Sequence, residues 1–282
     1  MASYITTLNN IQNMQSNLLN IEYDIKPKTD IVNSLPIYVL NPKRLKNRYN
    51  HMMYQFKESN INTSNINWIE PTPYPNINGD KKRLYNDIIS RDHIRMWNIA
   101  YEYIQKTNSK GALFFEDDVY FLKNWKQLLE TILKKYDNDA NIIRFDSYPY
   151  ISISDNLDKI AITNSLAFAC MGGYYLSRDA IITSLTFIKT NKWEWNTIED
   201  ILHMITSKYF KNMSFETIPR LAVQNWILHN KSNLQTDEHM YKVRKTQIKY
   251  FKRYYQKYII ENQNELENAL INAYDDYIEK NL

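Results

Sequence analysis

Cysteine is nearly absent: Cys170 is the only one in 282 residues. That excludes an intrachain disulfide and any zinc site built from several thiolates, and a reducing compartment is the natural setting. No stretch approaches the roughly 18 consecutive apolar residues of a membrane span. The opening MASYITTLNNIQNMQSNLLN has neither a basic segment nor an apolar centre, so it does not read as a secretory signal. A cytoplasmic location is the expectation. An excess of one charge is also lacking: 35 Lys and Arg against 31 Asp and Glu leave a net +4, too balanced to imply a nucleic-acid partner. Glycine is scarce, at four residues, and tyrosine abundant, at 23. With many Asn, Ile and Lys, this bias follows from an A/T-rich genome such as that of a large DNA virus or a parasite. In the viral case the host cytoplasm or the virion is the setting. Hydrophobic residues at 44% and charged residues at 23% are ordinary for a soluble globular protein with a sizeable core.

Residues 1–32 are polar and weakly periodic and read as an extension outside the core. LPIYVLN (35–41) reads as a buried strand, RLKNRYNHMMYQF as a helix, and INWIE (66–70) as a second strand. PTPYPNINGD is a proline-rich surface loop. Apolar spacing from Lys81 to Thr107 predicts one or two helices. Further strands are expected at 111–116 and 141–146, with LAFACMGGYYLS as strand-turn-strand and SFETIPRLAVQN as a late strand and loop. Helices are expected near 124–135, 178–188 and 198–210. Alternating strands and helices predict an α/β domain over 33–235 with a mostly parallel sheet. Residues 236–282 read as a helical extension, basic and Tyr-rich at first and then acidic.

The stretch GALFFEDDVYFLKNW sends a buried strand directly into Glu116, Asp117 and Asp118. In open α/β sheets ligands bind at the carboxyl ends of strands. Adjacent carboxylates there raise one another's pKa unless a cation neutralises them. Mg²⁺ or Mn²⁺, which take hard oxygen ligands, would do so and could bridge to a diphosphate. The plain alternative is a solvated acidic turn capping the next helix.

The surroundings of the triplet resemble glycosyltransferase family 25, the lipooligosaccharide and procollagen galactosyltransferase-like enzymes. LFFEDDVYF is similar to that family's strand and Glu-Asp-Asp metal motif. IYVLNPKRLKNR resembles its Asn-Leu-x-x-Arg-x-x-x-Arg opening through Asn41, Arg44 and Arg48, with Pro42 in place of Leu. SRDHIRMW resembles its Ser-His-x-x-x-Trp helix at His93 and Trp97, with Asp92 where Ser is expected. FACMGGYYLSRDAI and IPRLAVQN resemble two later segments, so the likeness runs over about residues 35–230. It implies a GT-A fold, a UDP-sugar donor carrying galactose or glucose, a divalent metal (Mn²⁺ or Mg²⁺), and inversion during transfer to a glycan or glycoprotein hydroxyl.

On that reading Asp118 ligates the metal, Glu116 faces the ribose or a metal-bound water, and Asp117 points away because strand residues alternate. Arg44 and Arg48, four apart on one helical face, clamp the donor or else form a solvated face with Lys43 and Lys46. His93 touches the donor or else packs with Trp97. Gly172 and Gly173 mark positive φ, close approach of a ligand, or a tight turn. Asp146 bonds an acceptor hydroxyl or caps a turn. Glu199 and Asp200, at a helix start that keeps carboxylates ionised, are the candidate bases, Asp200 first, or else a structural acidic pair. Trp193 and Trp195 stack on the acceptor sugar or lie in the core. His229 completes the metal shell, as a late His does in GT-A enzymes generally, and His203 packs on its helix.

Two other classes stand beside this one. A metal-dependent nuclease or nucleic-acid-binding protein would use the triplet and the basic C-terminal segment. A non-catalytic descendant would bind glycan only. The basic segment is compatible with an anionic membrane surface, a partner, or a homodimer through the C-terminal helices. Its default role is pairing with the acidic tail.

Overall fold

The computed structural model describes residues 19–21, 30–73, 81–136, 139–146, 160–164, 171–191, 197–218 and 221–224. The strands are β1 (Leu19–Ile21), β2 (Ile37–Leu40), β3 (Ile66–Ile69), β4 (Gly111–Glu116), β5 (Val119–Phe121), β6 (Ile142–Arg144), β7 (Ile160–Asn164), β8 (Gly173–Ser177), β9 (Ser214–Ile218) and β10 (Ala222–Gln224). The helices are α1 (Ile31–Ser34), α2 (Lys46–Glu58), α3 (Lys81–Thr107), α4 (Trp125–Tyr136), α5 (Arg178–Thr190) and α6 (Ile198–Tyr209). None of them is long and apolar enough to cross a membrane.

Eight strands form one sheet in the order β1-β7-β9-β6-β8-β4-β2-β3, and β5 pairs separately with β10. Strand alternation divides the core into two. Ile37, Val39, Leu113 and Phe115 face α1, α2 and α4 through Val32, Met52, Phe56, Leu129 and Ile132. Tyr38, Leu40, Ala112 and Phe114 face α3, α5 and α6 through Trp97, Ala100, Ile181 and Leu202. The result is the helix-sheet-helix sandwich of a Rossmann-like α/β fold.

The α/β class is as expected, but the sheet is mixed rather than mostly parallel. The pairs β2–β3, β2–β4 and β6–β9 are parallel, and β8 runs antiparallel between β4 and β6. A strand covered on both faces is an apolar run in either direction, so the pattern alone cannot show its sense. Two stretches of the expected N-terminal extension belong to the fold: β1 pairs with β7 at the sheet edge, and Val32 of α1 is fully buried. The expected C-terminal helices lie outside the described residues.

The short strand β5 is held from both sides. Its register places Val119 opposite Gln224 of β10. On its other side Gln55 of α2 donates from Nε2 to the Val119 carbonyl (2.7 Å) and accepts from Phe121 N–H at Oε1 (2.6 Å). A side-chain amide thus takes the place of a neighbouring strand and leaves these backbone groups satisfied.

Beneath α1, Glu130 of α4 is 2% exposed and near Asp30, which pairs with Lys126 at 2.8 Å. Burial and then the hydrogen bond with Asp30 push the Glu130 carboxyl up to about 7. The folded state therefore keeps this proton at pH values where the unfolded chain has lost it. Stability from Glu130 is fully present below its ordinary value of 4.5 and is lost as pH rises toward 7. Glu130→Gln should raise the melting temperature at pH 8 and leave it nearly unchanged at pH 4, as read by thermal denaturation at the two pH values.

Candidate active site

The pairings of β4 with β2 and β8, and of β8 with β6, bring the carboxyl ends of β2, β4 and β6 to one sheet edge with the amino end of β8. Asn41, the acidic triplet, Asp146 and Gly172 follow or precede those ends. The three successive carboxylates are held in three different ways.

Asp117, 4% exposed, accepts from Asn41 Nδ2 at 2.6 Å and from Arg48 Nη1 at 2.7 Å. It turns toward β2 and α2. Burial raises its carboxyl above the usual range, while Arg48 and Asn41 act in the opposite direction. Glu116 Oε1 lies 3.4 Å from His93 Nε2, and Glu116 N–H donates to the Gly172 carbonyl. His93 is fully buried; its Nδ1 is 2.8 Å from the Tyr174 hydroxyl, which accepts from Trp97 Nε1 at 2.9 Å. His93 and Trp97 are therefore packed in the core and joined to the site at once.

Asp118 differs from its neighbours. Its Oδ1 is buried and has no hydrogen-bond partner among the described residues. Burial first, then the charges of Glu116 and Asp117, hold its carboxyl well above the usual value, with Asp146 adding to the effect and Arg48 opposing it. Asp146 is 1% exposed, a buried charge near Asp118 rather than an open contact for an acceptor.

The start of α6 docks on α3, where Ser90 Oγ accepts from Ile198 N–H at 2.9 Å. Glu199 comes from that turn into the field of Glu116 and His93. Its carboxyl is raised, by burial first and then by the Glu116 charge, so desolvation outweighs the lowering expected from the helix start. Asp200 is exposed and closes a capping box: its Oδ2 accepts from Thr197 N–H and Oγ1–H at 3.1 and 3.0 Å. The residue of the pair near the triplet is Glu199, not the first-choice Asp200.

Two further expectations are corrected. Arg44 lies exposed in a turn, and α2 begins only at Lys46, so Arg44 and Arg48 do not share a helical face. No glycine among the described residues has positive φ. Gly173 sits in a tight packing contact instead: a Cβ there would lie 3.0 Å from the Phe115 ring, which would have to give by a few tenths of an ångström. Asp92 anchors the loop after β3 by accepting from Thr72 N–H at 2.9 Å and its Oγ1 at 2.7 Å. Trp193, Trp195 and His229 lie outside the described residues. Tyr174 was not foreseen, because nothing local in GYYLS announces a partner 81 residues away.

Mg²⁺ and Mn²⁺ are commonly held by one or two carboxylates, with substrate phosphates and water completing the shell. Asp118, with its orphaned buried oxygen, and the neighbouring Glu116 fit such a set. Among the described residues no three His, Cys, Asp or Glu side chains converge on a metal position.

No protein-family model matches the chain, and no curated protein matches it. Among 25 matching chains of solved structures is a glycosyltransferase involved in the glycosylation of the major capsid of PBCV-1. The likeness covers 73% of this chain and 99% of that one at 17% identity, with a TM-score of 0.39. A likeness this distant assigns no role to any residue.

Arg48 and Asn41 both act on Asp117, so their contributions to stability should overlap. Arg48→Met should cost about 2 kcal/mol and Asn41→Ala about 1 kcal/mol. The double variant should lose less than the sum, as read by urea denaturation of all four proteins of the cycle.

Proposed function

We propose that the chain is a metal-dependent inverting glycosyltransferase that moves a hexose, galactose or glucose, from a UDP-sugar to a hydroxyl of a saccharide or protein. The observation that carries this reading is the unequal treatment of the triplet. Asp117 is paired with Arg48 and accepts a hydrogen bond from Asn41, Glu116 is met by His93, and Asp118 keeps a buried oxygen with no partner among the described residues. An arrangement that lets two carboxylates be satisfied and leaves the third exposed to their repulsion is suited to a cation that arrives with its substrate. The family resemblance of the surrounding motifs supports the same reading.

Asp118, with Glu116, would hold the divalent ion, which when bound neutralises charge on the departing diphosphate. Arg48, partly exposed and facing all three carboxylates, adds a permanent positive charge at the same edge. In the displacement the acceptor oxygen bonds to the anomeric carbon as the bond to the diphosphate breaks. The acceptor's proton passes to a carboxylate, and Glu199 is the residue assigned. Its raised carboxyl makes it a stronger base than an exposed glutamate.

Thermal melting against a panel of nucleotide-sugars, each with and without Mn²⁺, tests the reading. One UDP-hexose should stabilise the protein only with metal, by about 2.7 kcal/mol at a hundredfold excess over Kd. No response to any nucleotide-sugar, together with one to oligonucleotides, would replace the transferase by the nucleic-acid reading. Asp118→Asn removes a repelled buried charge, so it should raise the ligand-free melting temperature by about 3 °C and abolish the Mn²⁺-dependent shift. Glu199→Gln should retain the metal-dependent shift and lose at least about 100-fold in turnover, measured by release of UDP.

A further inference from the structure

The groups Trp97, Tyr174, His93 and Glu116 form a continuous chain of hydrogen bonds from the core to the acidic triplet. Trp97, Tyr174 and His93 are buried, at 0%, 1% and 0% exposure, so solvent does not complete their bonding. Only one arrangement of protons gives each of them a suitable partner. The Trp97 indole can only donate, so it uses one lone pair of the Tyr174 oxygen. Glu116 Oε1 is 3.4 Å from His93 Nε2, a long contact that favours a hydrogen on Nε2 without fixing it. The Tyr174 hydrogen then has one place to go, His93 Nδ1, 2.8 Å away. Were Nδ1 protonated instead, two donors would point at the Tyr174 oxygen, and its own hydrogen would have no acceptor among the described residues.

We infer that Tyr174 is a positioning residue: its hydroxyl fixes the His93 tautomer and so presents Nε2–H to Glu116 at the donor site. Tyr174 touches neither the proposed metal ligand Asp118 nor, on this reading, the substrate, and it acts through His93. Its ring is independently seated, stacked on Phe114 at 5.1 Å between centroids. Removing the hydroxyl therefore leaves the packing of β8 in place. The consequence for donor binding rests on the transferase reading above, whereas the tautomer itself does not.

The test is long-range proton–nitrogen NMR of the ligand-free protein labelled in its five histidines, with the His93 signals assigned from their loss in His93→Gln. In the wild type, His93 should show a protonated Nε2 and an unprotonated, hydrogen-bonded Nδ1. Tyr174→Phe should convert this to a mixture of tautomers. Trp97→Phe, which loosens the same core but leaves the Tyr174 hydrogen on Nδ1, should not. A wild-type His93 protonated at Nδ1, a Tyr174→Phe spectrum identical to the wild type, or the same change in Trp97→Phe would each overturn the inference. The wild-type spectrum is decisive even if Tyr174→Phe does not fold. With UDP-hexose and Mn²⁺, Tyr174→Phe should weaken binding about fivefold with kcat little changed. Unaltered binding by a variant whose tautomer has shifted would remove the link from Tyr174 to the donor. A wild type that binds no nucleotide-sugar would sink the transferase reading and leave the assignment of the tautomer to the spectra.

Discussion

Repulsion among carboxylates buried at the end of β4 sets the terms for the surrounding structure. A buried charge without a partner is among the most destabilising features a fold can carry. Here three carboxylates follow one another, with Asp146 and Glu199 near them. The fold answers from distant parts of the chain. Asn41 and Arg48 reach Asp117 across 76 and 69 residues, and His93 reaches Glu116 across 23. Those contacts join β2, α2 and α3 to β4, so the site forms only when the parallel half of the sheet is assembled. Packing explains the remainder: Gly173 admits Phe115, and Gln55 stands in for a strand beside β5.

Much of the architecture was legible because its signals are local. The apolar runs at 37–40 and 111–116, the helical spacing of Leu84 to Ile104, and the acidic triplet all depend on neighbours in sequence. Strand direction did not show, since β8 is as apolar on both faces as the parallel strands beside it. Strands β5 and β7 do not show because one has three residues and the other, five residues long, ends in two polar ones. Within the site, the residue types were legible and their partnerships were not. Glu199 and Asp200 look alike in sequence, yet Thr197-Ile-Glu-Asp is a capping-box pattern that already marks Asp200 as structural. Arg44 was grouped with Arg48 by spacing alone, and the start of α2 at Lys46 separates them. Tyr174 carries no local signal, because its meaning depends on helix α3 lying across the sheet face.

Helix α3 brings together several features that are far apart in function. It is one continuous helix of 27 residues, about 40 Å long, where the spacing had allowed for two. Along it Ser90 receives the start of α6, Asp92 ties down the loop after β3, His93 meets Glu116, and Trp97 meets Tyr174. Ser90, His93 and Trp97 share one face of the helix and Asp92 leaves from nearly the opposite one, all within two turns, so a slide of one residue or a rotation of one position would break all of these bonds together. The helix has a single seat. It serves the edge of the sheet as a fixed datum, like the bed of a lathe: the loop after β3, α6 and the acidic triplet are each aligned to it, in addition to the register that β2 sets between β3 and β4. Any closure over a bound substrate must therefore leave α3 where it is and be carried by segments that are not bolted to it.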